Sequence, residues 1–305
     1  MDNDETYLLL LLSDSNLPTG SFVASSGFES YIKHGFGTAD AGDSRTGNKM
    51  NKTIVFMHNS INAYARSALP FMSDAHRIVQ GIVRSAEYSR DSEKDLEPEE
   101  YLKETLQKIQ QVDDLYDVMT LNHVTKRASK SQGVALLTLY SKGFSSPLHP
   151  SSSSDVKKAT VDYTMASLVA KYKTCIRSEC APGHLPICWG ILTGALGLTL
   201  ERSQYLHIFL YARSLLSASV RLNEIGPYNA QQILLRVSRL VIEAEVENCK
   251  DLRTGIRLGL KSGESKDAEE SRNFDKVFNG PANTWPLGEI LAARHDLQHS
   301  RIFNS

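Results

Sequence analysis

The sequence carries no excess of charge of either sign: 34 Lys and Arg stand against 35 Asp and Glu, a formal net charge of −1. A near-neutral chain has no global electrostatic attraction to nucleic acid or to anionic lipid. Neither is an expected partner, and recognition falls to local patches. Cysteine is scarce. Four in 305 residues (Cys175, Cys180, Cys188 and Cys249) make no disulfide framework and suit a reducing, cytoplasmic setting. Long apolar runs are missing as well. Tyr7 to Leu12 holds five consecutive leucines, but Asp2, Asp4 and Glu5 precede it and Asp14 follows. The run lacks the basic flank of a signal peptide and falls short of the roughly 20 apolar residues of a membrane span.

Catalytic signatures are absent too. No serine sits in a G-x-S-x-G setting, and there is neither a G-x-x-x-x-G-K-[ST] loop nor a G-x-G-x-x-G after a strand. The chain reads as a protein that is not an enzyme, has no catalytic residue and depends on a partner for any nucleotide chemistry.

What is present is helical periodicity. Val161, Met165, Leu168, Tyr172 and Ile176 recur at spacings of three and four, which places them on one helix face. Ile233, Val237, Leu240, Val241 and Ala244 follow the same rule. Gln204 to Leu222 is apolar almost all round, as a helix inside a bundle is. Glu99 to Leu121 is charged, with Leu102, Leu106, Ile109 and Asp113 marking a narrower face. Strand-like alternation is nearly absent. The expected fold is all-α: a single globular bundle of about eight to ten helices spanning residues 1–305. Flexible loops are expected near 37–51, 141–155 and 261–282, where composition is too polar to offset ordering entropy. Ile187 to Leu200 carries Gly190, Gly194 and Gly197 in an apolar run. Glycine costs about 1 kcal/mol against alanine inside a helix, so this spacing predicts a tightly packed core or dimer helix.

Two groupings resemble metal ligands. Cys175, Cys180, His184 and Cys188 lie within fourteen positions, but no C-x-x-C knuckle is present and Pro182 and Pro186 break the segment. His295 and His299 would share a face if their segment is helical, and two ligands make only an exchangeable site. No tightly bound cofactor is expected. His76, His123 and His149 have no ligand-like neighbours and read as surface or capping residues.

Five blocks, in order, carry a resemblance. Leu17-Pro18-Thr19-Gly20-Ser21-Phe22 with Ser25, Gly27, Phe28 and Glu29 is similar to the amino-terminal L-P-x-G-x-F-x-x-S-x-G-L-E motif of the UreF family of urease accessory proteins. Arg127-Ala128-Ser129 with Gly133, His184-Leu185-Pro186 with Gly190, and Ser217 to Leu222 with Gly226 follow. The ending Ala293 to Ser305 resembles the family's R-H-E-x-Q-Y-S-R-L-F-R-S, with Asp296 for glutamate, His299 for an aromatic and Asn304 for arginine.

The resemblance implies an all-helical, dimeric scaffold that binds UreD (also called UreH), the GTPase UreG and, through them, apo-urease. It further implies GTP-dependent nickel delivery, carbamylation of a lysine in the urease active site, and a transit of nickel through the protein itself. The alternatives are a direct nickel carrier and a small-molecule enzyme in a helical bundle. Partner-binding residues are expected in two islands. Pro18 and Gly20 fix a turn that presents Phe22 and Glu29, and Arg221, a charge in an apolar helix, joins Glu29 on one polar surface facing UreG. Arg294, His295, Arg301 and Phe303 make the second, a tail whose apolar end predicts that it docks.

Overall fold

Phe56, Met57, Ile61, Ala65, Leu69, Met72, Ala75, Val79 and Ile82 recur around a 44-residue helix, α3 (Arg45–Tyr88), and all are buried. A helix covered this completely is the axis of its bundle. The computed structural model describes residues 3–14, 17, 21–36, 45–88, 98–145, 156–256 and 279–304. Ahead of α3 come α1 (Asn3–Leu12), a 3-10 turn (Ser21–Val23) and the short α2 (Phe28–Tyr31), which runs into a π-turn (Ile32–Phe36). After it follow α4 (Pro98–Met119), α5 (His123–Leu139), α6 (Val156–Arg177), α7 (Leu185–Ala195) and α8 (Leu200–Arg221). Then come α9 (Pro227–Ile233), α10 (Arg239–Cys249), α11 (Pro286–Ala293) and a closing 3-10 turn (Arg294–Leu297). The fold is all-α, with no strand among the described residues. No helix among them is long and apolar enough to cross a membrane.

Helix α3 packs against α7, α8, α10, α4 and α6. The glycines of α7 explain its intimacy with α3. A Cβ on Gly190 would lie 2.4 Å from the Met72 carbonyl oxygen, and one on Gly194 would lie 3.1 Å from the Val79 side chain. The apolar run is a core helix as far as Ala195, with Ile187, Trp189, Ile191 and Leu192 all buried; Gly197, at φ 78° and with nothing within 4 Å of an added Cβ, lies in the turn to α8 rather than in the helix. Pro70 sits inside α3 and gives no N–H to the carbonyl one turn back. That carbonyl, on Arg66, accepts instead from the Ala282 N–H at 3.4 Å.

The periodicity of α6 holds: Met165, Leu168 and Tyr172 are buried. Helix α8 is not covered all round: Leu206, Ile208, Ala212, Leu215 and Leu216 are buried, while Tyr205 and Ser217 are exposed. At α9 and α10 it fails in part. Leu240 is exposed and so is Ala244, while Ile242, Glu245, Val246 and Cys249 face inward. The cause is a π-turn over Leu234–Ser238, whose extra residue rotates the following face. The loop expected over 37–51 is helical from Arg45 onward. Lys49 Nζ donates to the Asn223 carbonyl at 3.2 Å and Thr53 meets Ser219 at 3.1 Å, so this end of α3 is held by the end of α8. Residues 141–145 prolong α5 through a π-turn (Tyr140–Phe144) rather than forming loop. The rest of the first loop (37–44) and of the second (146–155), and most of the third (261–278), lie outside the described residues.

Candidate functional site

Gly27 has φ 83°, and a Cβ there would lie 3.1 Å from Ala292 Cβ, so glycine is required for α2 to start against α11. The turn sends Phe28 into the core, 4.9 Å from the Phe56 ring, and turns Glu29 toward the chain's end. Glu29 is fully buried. Oε1 accepts the Ile302 N–H at 2.9 Å and Oε2 the Phe303 N–H at 3.2 Å. Lys33 Nζ stands 3.0 Å from Oε1, and the buried His295 Nε2 stands 3.3 Å from Oε2. Burial pushes the carboxyl's pKa up, but the Ile302 N–H, Lys33 and the Phe303 N–H outweigh it and hold the group below its ordinary value. An ionised Glu29 therefore fastens the carboxyl-terminal tail to α2.

Arg221, at the last turn of α8, holds the same tail from the other side. Its guanidinium carbon lies 3.9 Å from the Phe22 ring centroid and 4.3 Å from that of Phe303, two cation–π contacts. It also donates to the Phe22 carbonyl and to that of Ser217. Phe303 is buried and Phe22 exposed. The Asn304 N–H donates to the Val23 carbonyl at 2.9 Å, so the tail runs beside the 3-10 turn.

A third anchor comes from α5. Arg127 grips Asp296 with two 3.0 Å bonds and reaches the Asn304 carbonyl at 3.1 Å. Arg301 Nη1 and His123 Nε2 approach Asp296 at 2.6 and 3.3 Å. Arg127 and these neighbours hold the Asp296 carboxyl well below the usual range. A groove of about 480 Å³ opens here, lined by Arg127, Gln132, Asp296, Arg301 and Asn304. Arg294 Nε donates to His34 Nε2 at 3.2 Å.

Beneath α5 lies a buried polar cluster. Asp113 accepts from Tyr172 Oη at 2.5 Å and from the Gly183 and His184 N–H groups at 2.6 and 3.1 Å. His184 uses both nitrogens, Nδ1 at 3.1 Å from Ser129 Oγ and Nε2 at 3.0 Å from Asp117. Lys126 and Lys130 complete the Asp117 site at 2.9 and 2.7 Å. These bonds bring Arg127-Ala128-Ser129 and His184-Leu185-Pro186 together. A Cβ on Gly133 would lie 2.1 Å from the Gly183 oxygen, which explains that glycine. The cluster fixes how α4, α5 and α7 meet.

Of the residues singled out in the sequence, Phe22, Glu29, Arg221, His295, Arg301 and Phe303 converge, with Arg294 beside them. Pro18 and Gly20 lie outside the described residues. One expectation needs correction: Glu29 shares no surface with Arg221, because it is enclosed beneath the tail. His295 and His299 do not share a helix face, since the last 3-10 turn ends at Leu297 and Gln298 is extended. His184 and Cys188 are buried while Cys180 is exposed, and no three His, Cys, Asp or Glu side chains converge as a metal site among the described residues. His76 is not a surface residue either: it is buried, with Nε2 2.9 Å from the Leu198 carbonyl. Sequence reasoning missed Arg127, Lys33 and Asp113 as anchors; the signal available was that Arg127 opens one of the five blocks.

A family model described as UreF matches residues 51–238. The chain is 42% identical to urease accessory protein 6 of Cryptococcus neoformans var. grubii, over 99% of this chain and 97% of that protein. It is 26% identical to an uncharacterized urease accessory protein UreF-like of Schizosaccharomyces pombe, over 99% and 97%. It is 22% identical to the urease accessory protein UreF of Corynebacterium efficiens, over 98% and 96%.

Proposed function

The chain belongs to the UreF family, and from that premise we propose that it is a scaffold which, with UreD and the GTPase UreG, assembles on apo-urease and supports GTP-dependent nickel insertion. A role as an accessory protein of urease maturation comes with the family. The finer reading rests on one observation above others: the carboxyl-terminal tail is held in a defined shape by Glu29, Arg221 and Arg127. Glu29 on α2, Arg221 on α8 and Arg127 on α5 thus reach residues 302–304 from three different helices.

The surface so made suits a protein partner. Phe22, Ile302, Leu297 and Ile290 are exposed large apolar side chains on the 3-10 turn, the tail and α11, and Arg301 and Arg127 are held at the tail by Asp296. Apolar, aromatic and Arg residues presented together on rigid backbone are what protein interfaces use. We read this face as the docking surface for UreD or UreG in a cytoplasmic homodimer, with nickel as cargo rather than resident cofactor. Glu29 and His295 are then positioning residues, and a partner meets the tail they hold.

Reconstitution tests this reading. Apo-urease incubated with UreD, UreG, GTP, bicarbonate and nickel should gain activity only when this chain is added. Equal activation without it, or activation by this chain and nickel with UreG omitted, would contradict the scaffold reading; the second result would favour the direct carrier.

A further inference from the structure

We infer that Cys175 and Cys180 are a reversible dithiol–disulfide pair, a redox modification site built across the carboxyl-terminal cap of α6. The helix ends in a specific way. The Cys180 N–H donates to the Cys175 carbonyl at 2.9 Å and the Glu179 N–H to the Ile176 carbonyl at 3.1 Å, with Glu179 itself at φ 59°. These two nested bonds around one left-handed residue define a Schellman cap, in which the side chains at the two ends of the outer bond meet in a contact that is normally apolar. Here both ends are thiols. The 2.9 Å backbone bond draws the two residues together, and a disulfide spans Cα atoms about 4.4–6.8 Å apart.

The sulfurs are in unequal settings. Cys180 is exposed, and its Sγ turns back over the cap toward the Ser178 carbonyl at 3.6 Å. Cys175 is half-buried, and burial and then the neighbouring Cys180 push its thiol up. Cys180 is therefore the thiol that meets an oxidant, and Cys175 resolves the product. Cys188 and Cys249 are buried in the core and stand aside. No third His, Cys, Asp or Glu joins the pair among the described residues, which favours dithiol chemistry over a three-ligand metal site.

The oxidant is a hydroperoxide, hydrogen peroxide being the simplest. Cys180 thiolate attacks one peroxide oxygen, the O–O bond breaks and hydroxide leaves, giving a sulfenic acid. Cys175 then attacks that sulfur; the S–S bond forms, the S–O bond breaks, and the departing hydroxide takes the remaining proton as water. Overall, two thiols and one hydrogen peroxide become one disulfide and two waters. A small-molecule dithiol reverses the change. The bridge would tie α6 to the turn whose Gly183 and His184 N–H groups bind Asp113.

The test uses the full-length native chain treated with hydrogen peroxide, then denatured, alkylated and digested with trypsin. Cleavage after Lys173 and Arg177 puts the two thiols on separate peptides, Thr174 to Arg177 and Ser178 to Arg202. The expected product is these two peptides joined, lighter by two hydrogens, with fragmentation assigning the bond to Cys180 rather than Cys188. Alkylatable thiols fall from four to two, and dithiothreitol restores them. In Cys180→Ser, an exposed change, Cys175 should stay alkylatable after peroxide. Cys180 recovered as sulfinic acid with Cys175 still alkylated, or joined to Cys180 of a second chain, would overturn the proposal.

Discussion

Glu29→Gln is a change of one atom that leaves volume intact and removes the charge which fastens the tail. The carboxylate accepts the Ile302 and Phe303 N–H groups and faces Lys33 and His295 from a fully buried position. A glutamine can keep one of the two backbone acceptor roles, and its NH2 group must turn toward a donor. A hydrogen bond to a charged group contributes about 1.5–3 kcal/mol, and a buried donor left unpaired costs about 1–3 kcal/mol. Losing one such bond and weakening the other should cost the docked tail about 2–4 kcal/mol. At 1.36 kcal/mol per decade, that is an opening equilibrium raised roughly 30- to 1000-fold. Hydrogen–deuterium exchange reads it directly: the Ile302 and Phe303 amides should lose protection by that factor, while the α3 and α7 amides keep theirs. Because the Glu29 pKa is lowered in the fold, the native state binds fewer protons there. The wild-type latch should hold above the free carboxyl value of about 4.3 and weaken as pH falls below it. Unchanged protection of Ile302 and Phe303 in Glu29→Gln would refute the assignment of Glu29 as the tail's anchor.

Arg221→Lys keeps the charge but loses the flat guanidinium against Phe22 and Phe303; at about 0.5–1 kcal/mol per ring, trimming of the tail by carboxypeptidase should quicken by roughly tenfold. Gly190→Ala places a Cβ 2.4 Å from the Met72 carbonyl oxygen and must part α7 from α3. It should cost about 1–3 kcal/mol or more by urea denaturation, whereas Gly226→Ala, with nothing within 4 Å of the new carbon, should cost only the weaker N-cap of α9, about 1 kcal/mol or less. Burial pushes down the pKa of His76, of His184 to about 4 and of His207 to about 3. Their folded values lie below the unfolded value of about 6.5, so the stability they contribute is complete above that pH and is lost progressively on acidification. Asp74 and Asp113, raised by burial, act in the opposite sense nearer their own range. Urea midpoints should therefore fall between about pH 6.5 and 4.5, and His207→Gln should flatten that slope.

The helical class and much of the core were legible because period 3.6 survives wherever a helix is regular. Leu168 and Tyr172 on α6 face inward as their spacing says. Leu240 does not, because a π-turn inserts its extra residue through backbone geometry that leaves no mark in the pattern of apolar residues. Gly190 and Gly194 announced a close approach, but only the fold shows that the approaching backbone is α3 rather than a second chain. At the site, residue types pointed to the two ends of the chain, while the pairing between them was out of reach. Glu29 and Ile302 are 273 residues apart, and nothing local distinguishes a helix-surface glutamate from one roofed by the tail. Arg127 was passed over for the same reason: its partner Asp296 stands 169 positions away.

The most direct test of the central claim is size-exclusion chromatography with light scattering of this chain mixed with purified UreD and UreG, with and without GTP and nickel. A second sample should lack Ser300 to Ser305. The full chain should co-elute with its partners, and the truncated chain should keep its helical content and elute alone. Co-elution of the truncated chain at full yield would contradict the tail as the docking surface. Failure of the full chain to bind either partner, with both competent in a control complex, would contradict the scaffold itself.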